Sequence, residues 1–347
     1  MRTFRRALLA SARTLGVANA VANSQWRRAR LLILAYHGVS QHDEHLWNPE
    51  LFVTPGFLRA RFELIRRADC AVLPLDLAVR QLHNGSLPPR AVALTFDDGG
   101  ADFARRAVPV LEEFEFPATV YVSTYYARRG GPVFDPMLRY LLWCARGHSI
   151  DGNGFTADGG ALDLTTHAAR DDAGRRIEAF LGSATADAKD AALCLLAERG
   201  GLDYDRILAR RLLHLMTPEE VAALPRHLVD VQLHTHRHRS PADRDELAHE
   251  IAQNREQLQA MGVAADRLTH FCYPSGIVKR EYPGWLRDLG ITTATTCQTG
   301  LARRDDDPLL LPRLIDTPLL TALEFESWLR GVGAALSRRR TPAEHVS

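Results

Sequence analysis

Seven short runs of apolar and β-branched residues punctuate the chain: Leu31 to Tyr36, Ala91 to Phe96, Ala118 to Ser123, Val229 to Leu233, Thr269 to Tyr273, Thr292 to Cys297 and Leu309 to Ile315. Between them lie stretches with helical spacing of apolar positions, among them Phe57 to Ala68 and Phe103 to Glu115. This alternation is the pattern of α/β units around a parallel sheet, and seven runs suit a closed barrel better than a sandwich. Ser240-Pro241 reads as the opening of a third helix, with Ser as cap and Pro at the first position. Its apolar face, Leu247, Ile251, Leu258 and Met261, ends at Gly262.

The spacing of strands breaks once. About a hundred residues separate Ser123 from Val229, too many for a loop, so an insertion is expected there. Its middle, Ser149 to Gly160, is rich in Gly, Asp and Thr, whereas Ala168 to Arg199 is charged, alanine-rich and predicted helical. The resulting organisation is an amphipathic segment over 1–29, a barrel over 30–129 and 215–335, a mainly helical insertion over 130–214 and a flexible tail over 336–347.

Composition narrows the function only a little. With 46% hydrophobic residues the 347-residue chain can bury a large core, and 43 basic against 42 acidic side chains leave a net charge of +1. No global field attracts nucleic acid, which is excluded as an expected partner. Five cysteines without C-x-x-C spacing read as free thiols in a reducing compartment. At the N-terminus, Arg2, Arg5 and Arg6 precede Ala7-Leu8-Leu9-Ala10, and Ala18-Asn19-Ala20 resembles a cleavage site, but Arg13 breaks the apolar stretch. An exposed amphipathic helix is favoured over a signal peptide, making a membrane surface a candidate partner and a cytoplasmic or membrane-peripheral location the expectation, with a secreted or periplasmic one as the alternative.

The chemistry is concentrated where apolar runs end: His37 after the first, Asp97-Asp98 after the second, His234 after the fourth. In a parallel barrel those strand ends share one rim, where catalytic groups meet. Adjacent carboxylates repel, so Asp97-Asp98 before Gly99-Gly100 calls for a reason. A divalent metal on Asp98 would leave Asp97 ionised as a general base; the same tetrapeptide is equally good turn chemistry before a helix near Asp102. His234 and His238, with Asp98, make the three-ligand set of a catalytic zinc-type site. His236 between them is expected to be a supporting or solvent-facing residue.

Together, Thr95-Phe96-Asp97-Asp98-Gly99 and His234-Thr235-His236-Arg237-His238 resemble the two metal-site motifs of the NodB-like polysaccharide deacetylases, carbohydrate esterase family 4. The resemblance covers roughly residues 30 to 129 and 215 to 320. It implies a distorted (β/α) barrel of about seven parallel strands, a divalent metal on Asp98, His234 and His238, and Asp97 as catalytic base. Zinc is the first candidate, ahead of cobalt, nickel, manganese or iron. Where the family has an arginine in its third motif, this chain reads Cys272-Tyr273-Pro274-Ser275-Gly276, so a brace for Asp97 must come from elsewhere, with Arg313 as the candidate. No histidine stands between His270 and His345 to serve as the usual C-terminal acid. Tyr36-His37 is similar to the N-terminal element of the exopolysaccharide-type subgroup, which implies His37 as the acid.

The implied reaction is hydrolytic removal of N-acetyl groups from amino sugars of a polysaccharide or lipid-linked glycan, releasing acetate. The metal and a backbone N–H near Tyr273 would hold the oxyanion, with Tyr273 and Pro274 as supporting residues. Trp47, Tyr125, Tyr126, Tyr273 and Trp285 are available to stack on a sugar. Two rival readings stand beside it: an amidase or formamide hydrolase acting on a non-carbohydrate substrate, and a catalytically inactive glycan-binding barrel.

Overall fold

The computed structural model describes residues 16–336; the expectations for the basic start of the chain and for the tail beyond residue 336 fall outside that range. The chain forms two compact units, one made of the residues up to Tyr125 and from Met216 on, the other of Tyr126–Leu215.

The first unit is a closed barrel of seven parallel strands, β1 (Arg30–Tyr36), β2 (Val92–Phe96), β3 (Ala118–Val122), β4 (Val229–Leu233), β5 (His270–Cys272), β6 (Thr293–Thr299) and β7 (Leu311–Ile315). They follow chain order around the barrel, and β1 pairs with both β2 and β7 to close it. The expected strands all form, because runs buried on both faces need no alternation of polar residues. The barrel is uneven. β3 and β4 pair over five residues, Ala118↔Val229 to Val122↔Leu233, whereas β4 and β5 meet at Leu233↔Phe271 alone. That seam is supplemented by side chains: Gln232 Oε1 accepts from the His270 N–H at 2.9 Å.

Helix α1 (Pro55–Arg67) is capped by the Thr54 hydroxyl, which accepts from Phe57 N–H. Helix α2 (Leu75–Asn84) buries Leu75, Ala78, Val79 and Leu82 with Leu31, Ile33, Ala91 and Ala93 at the starts of β1 and β2, closing the end of the barrel opposite the strand C-termini. The expected helix from Phe103 opens instead as a π-turn, Phe103–Ala107, before α3 (Val108–Phe114); Pro109 carries no N–H to continue an α ladder backwards. Helix α4 (Arg244–Ala260) corrects the expected start at Ser240-Pro241. Its cap is Asp243, whose carboxylate accepts from both Asp245 and Glu246 N–H, while Ser240 donates to Pro274 O at 3.2 Å. Leu247, Ile251, Leu258 and Met261 are buried as expected, and Gly262 follows at φ 84°.

Residues Val17–Asn23 and Gln25–Arg28 are short helices; the first is largely exposed and buries only Ala18 and Ala22. Arg27 is fully buried because three carbonyls receive its guanidinium: Leu329 at 3.0 Å, Arg30 at 2.7 Å and Ala91 at 3.3 Å. No helix among the described residues is long and apolar enough to cross a membrane.

The second unit is built on Phe134–Cys144, which buries Phe134, Met137, Leu138 and Leu141 and packs against two further helices. The stretch expected to be helical from Ala168 to Arg199 is two helices, His167–Leu181 and Ala186–Arg199, each capped by a threonine, Thr166 and Thr185. The Gly-rich middle forms a small antiparallel ladder, Ser149–Ile150 with Leu162–Asp163.

Candidate metal and acid–base site

The site is assembled where β1, β2, β4 and β5 end. Asp97 continues the β1–β2 ladder, its N–H donating to Tyr36 O at 2.9 Å, and its carboxylate is buried. Arg313 on β7 grips that carboxylate in two parallel bonds, Nη1 to Oδ1 at 2.7 Å and Nη2 to Oδ2 at 2.8 Å. The guanidinium is itself held by Thr95 Oγ1, Thr296 O and the Cys272 sulfur, 3.2 Å from Nη2, and is 0% exposed. A cysteine at 272 therefore leaves room inside the barrel for an arginine delivered from β7. Burial alone would raise the Asp97 carboxyl, but the charge and hydrogen bonds of Arg313 outweigh it and hold Asp97 below the ordinary carboxylate range. His37 stands on the open side with Nε2 3.7 Å from Asp97 Oδ2, an ion-pair distance without a hydrogen bond.

Asp98 faces the other way because its backbone is left-handed, φ 72°, followed by Gly99 at φ 79°. A side chain at 99 would strike Val122, its Cβ falling 2.9 Å from a methyl carbon, so glycine is required there. Asp98 Oδ1 lies 3.1 Å from His234 Nε2 and 3.3 Å from His238 Nε2. Thr235 and His238 also have positive φ, 59° and 54°, so the turn carrying the second histidine is strained, as functional turns often are. His236 is turned away and buried, its Nδ1 2.8 Å from Thr124 Oγ1, rather than solvent-facing.

These donors fit a divalent cation. His234 Nδ1 is 2.8 Å from Cys272 O, which can only accept, so Nδ1 carries the proton and a neutral ring turns its Nε2 lone pair toward the Asp98 oxygen. Two acceptors at 3.1 Å repel unless a proton or a cation lies between them. Burial lowers the His234 pKa, but the Asp98 contact reverses this and the net shift is upward. Asp98, His234 and His238 offer ligand atoms that all lie within 4.8 Å of one another, close enough to meet one ion, as a three-ligand site requires.

In the third-motif segment, Tyr273 itself is engaged in the barrel wall. The Tyr273 N–H points at Thr295 O, 3.4 Å away, and its hydroxyl donates to Leu309 O at 2.8 Å. With 1% exposure Tyr273 is neither an oxyanion donor nor a sugar platform; it packs face to face on Tyr282. Pro274 is buried in a 3-10 turn, Pro274–Gly276. Trp47, Tyr125, Tyr126 and Trp285 are half-buried.

Asp102 was expected only to mark the start of a helix. Its Oδ2 accepts from Val39 N–H at 2.5 Å, pinning the loop that leaves His37 to the turn that carries Asp98. Burial pushes its carboxyl up to about 7 in spite of that bond. Folded-state ionisation is thus disfavoured, and the stability owed to the protonated form is lost as pH rises from the unfolded value of about 3.9 through about 7. Asp102→Asn keeps an acceptor for Val39 without this loss. Its melting temperature relative to the parent is expected to rise by several degrees between pH 5 and pH 8; an offset that does not change with pH would contradict the burial argument.

Residues 84–170 match the polysaccharide deacetylase family. Over 101 residues it is 33% identical to the poly-beta-1,6-N-acetyl-D-glucosamine N-deacetylase of Escherichia coli (strain K12), a stretch amounting to 28% of this chain and spanning only 14% of that protein. The fold is similar to that of the Streptococcus pyogenes deacetylase PplD in complex with acetate, with a TM-score of 0.55 and 18% identity, covering 87% of this chain and 97% of that one. It is also similar to IcaB from Ammonifex degensii, with a TM-score of 0.54 and 16% identity over 88% and 97% of the two chains. At these identities the structural likeness is one of fold, and the chemistry of the site is argued from its own residues.

Proposed function

We propose that this chain is a deacetylase that hydrolyses the N-acetyl groups of N-acetylhexosamine units in a polysaccharide, releasing acetate and leaving free amino sugars. The observation that carries the reading is the pairing of two environments: a carboxylate clamped by Arg313, beside a three-donor cluster, Asp98, His234 and His238. A divalent ion held by that cluster, zinc first among the candidates, would polarise the acetyl carbonyl and lower the pKa of the attacking water. Asp97 takes the proton of that water. Its depressed pKa makes it a weak base that is ionised at neutral pH, so its contribution comes from fixed placement more than from basicity. The C–N bond breaks only if nitrogen gains a proton, since an amide anion is too poor a leaving group. His37, on the open side of Asp97, supplies it, and water's other atoms leave in acetate.

Acetate release from N-acetylated β-linked glucosamine oligosaccharides tests this with and without a chelator. Chelation should abolish turnover and zinc should restore it. His37→Ala should lower turnover on the amide by roughly 10²- to 10⁴-fold. On a phenolic acetyl ester, whose leaving group departs unprotonated, the loss should be much smaller. Turnover indifferent to chelator would sink the metal reading, and equal losses on both substrates would remove His37 as the acid.

A further inference from the structure

Helix α4 carries, on the face that buries Leu247, Ile251 and Leu258, an asparagine that the proposed mechanism does not use. Asn254 is 0% exposed. Its Oδ1 accepts from His234 N–H at 2.9 Å, and its Nδ2 donates to Val122 O at 2.9 Å and to Thr124 Oγ1 at 3.1 Å. Every one of these partners lies at the ends of β3 and β4, and their identity follows from the ladder itself. In a parallel pair, a bonding residue donates to the residue before its partner and accepts from the residue after it. Ala118 N–H donates to Leu228 O and Ala118 is paired with Val229, so alternate residues of β3, Ala118, Val120 and Val122, carry the bonds to β4. Val122 is paired with Leu233, and the next rung is therefore His234 N–H to Val122 O. No direct bond of ordinary hydrogen-bond geometry joins those two groups. The side-chain amide of Asn254 stands in its place, accepting from one group and donating to the other.

We propose that Asn254 is a positioning residue for the metal-ligating histidine, an amide spliced into the β3–β4 ladder at its last rung. This rests on the metal reading of Asp98, His234 and His238. The amide holds both main-chain groups at the rim and sets where His234 leaves the sheet, while Ser123 Oγ fixes the same residue by donating to His234 O at 2.9 Å. The second Nδ2 bond reaches Thr124, whose hydroxyl also meets His236 Nδ1, so one amide holds the start and the middle of the His234–His238 turn. One helical turn earlier, Glu250 completes the support: its carbonyl accepts from His236 N–H at 3.2 Å and its carboxylate from Arg237 N–H at 2.7 Å. Only an asparagine side chain offers an acceptor and two donors at this length; aspartate retains the acceptor and loses both donors.

Cobalt(II), added to the metal-free protein in competition with a chromophoric chelator, tests the assignment independently of turnover. Asn254→Asp should weaken cobalt binding by roughly 10- to 100-fold, the usual cost of losing an outer support of a ligand, and alter the visible absorption of the bound ion. Thr124→Val, which removes one acceptor and introduces no charge, should fall between it and the parent. Melting of the metal-free proteins reports whether each variant is folded. A folded Asn254→Asp with the parent spectrum and an affinity within roughly threefold of it would overturn the inference. Should that variant fail to fold, Thr124→Val decides by the same two readouts, parent-like behaviour overturning the inference. A parent protein that does not bind cobalt would instead overturn the metal reading, and this inference with it.

Discussion

Arg313→Met is expected to lower turnover by about 10²-fold or more, to shift the activity profile toward alkaline pH and to destabilise the fold by roughly 3–5 kcal/mol. All three follow from the buried pair. With Arg313 gone, the Asp97 carboxylate stays buried and loses its counter-charge, so burial, which raises its pKa, is no longer opposed. The acid limb of kcat/KM therefore moves up, and the deficit should be larger at pH 5 than at pH 8. The stability argument has the matching sign. In the parent protein the depressed Asp97 pKa contributes stability that is present above the unfolded carboxylate value and lost as pH falls through the folded one; the variant should lack this contribution. Urea denaturation at several pH values and a pH–rate profile measure both. A variant with parent-like turnover across pH would remove Arg313 from the proposed site.

Asp97→Asn should be the most damaging change to chemistry, a loss of roughly 10²- to 10⁴-fold in kcat for want of a proton acceptor, while cobalt binding through Asp98, His234 and His238 persists. It should also destabilise, because it leaves the Arg313 guanidinium buried and unpaired. The double variant Asp97→Asn, Arg313→Met leaves neither charge without its partner and should recover much of the lost stability while remaining inactive. Additive destabilisation in the double variant would show that the two side chains do not act as a pair.

The barrel was legible because its strands are continuous apolar runs, and so was the grouping of Asp98, His234 and His238, because they sit close behind the ends of two of those runs. What escaped depends on register between segments far apart in sequence. Arg313 could be named only as a candidate, since nothing local to Leu311-Pro312-Arg313 tells that its side chain points inward to Asp97 at the end of β2. Cys272 looked like a missing brace, yet it is the small residue that makes the substitute possible. Tyr273 was misjudged because whether its N–H is free depends on how β6 lies alongside it. Asn254 left a fainter trace: a polar residue at i+3 from Ile251 and i−4 from Leu258, on an otherwise apolar face, signals a buried hydrogen-bonding demand but not whose. The misplaced start of α4 has a simpler origin, two competing capping signals, of which Asp243 wins by accepting from two amides at once.

The sparse seam between β4 and β5 gives His234 a second duty. There the main chains pair only at Leu233↔Phe271, and the rungs on either side are made by side chains, Gln232 to His270 N–H and His234 Nδ1 to Cys272 O. The imidazole that presents Nε2 to the Asp98 cluster is thus also a stitch in the wall of the barrel. A substitution at that one imidazole therefore acts on the candidate site and on the barrel wall together.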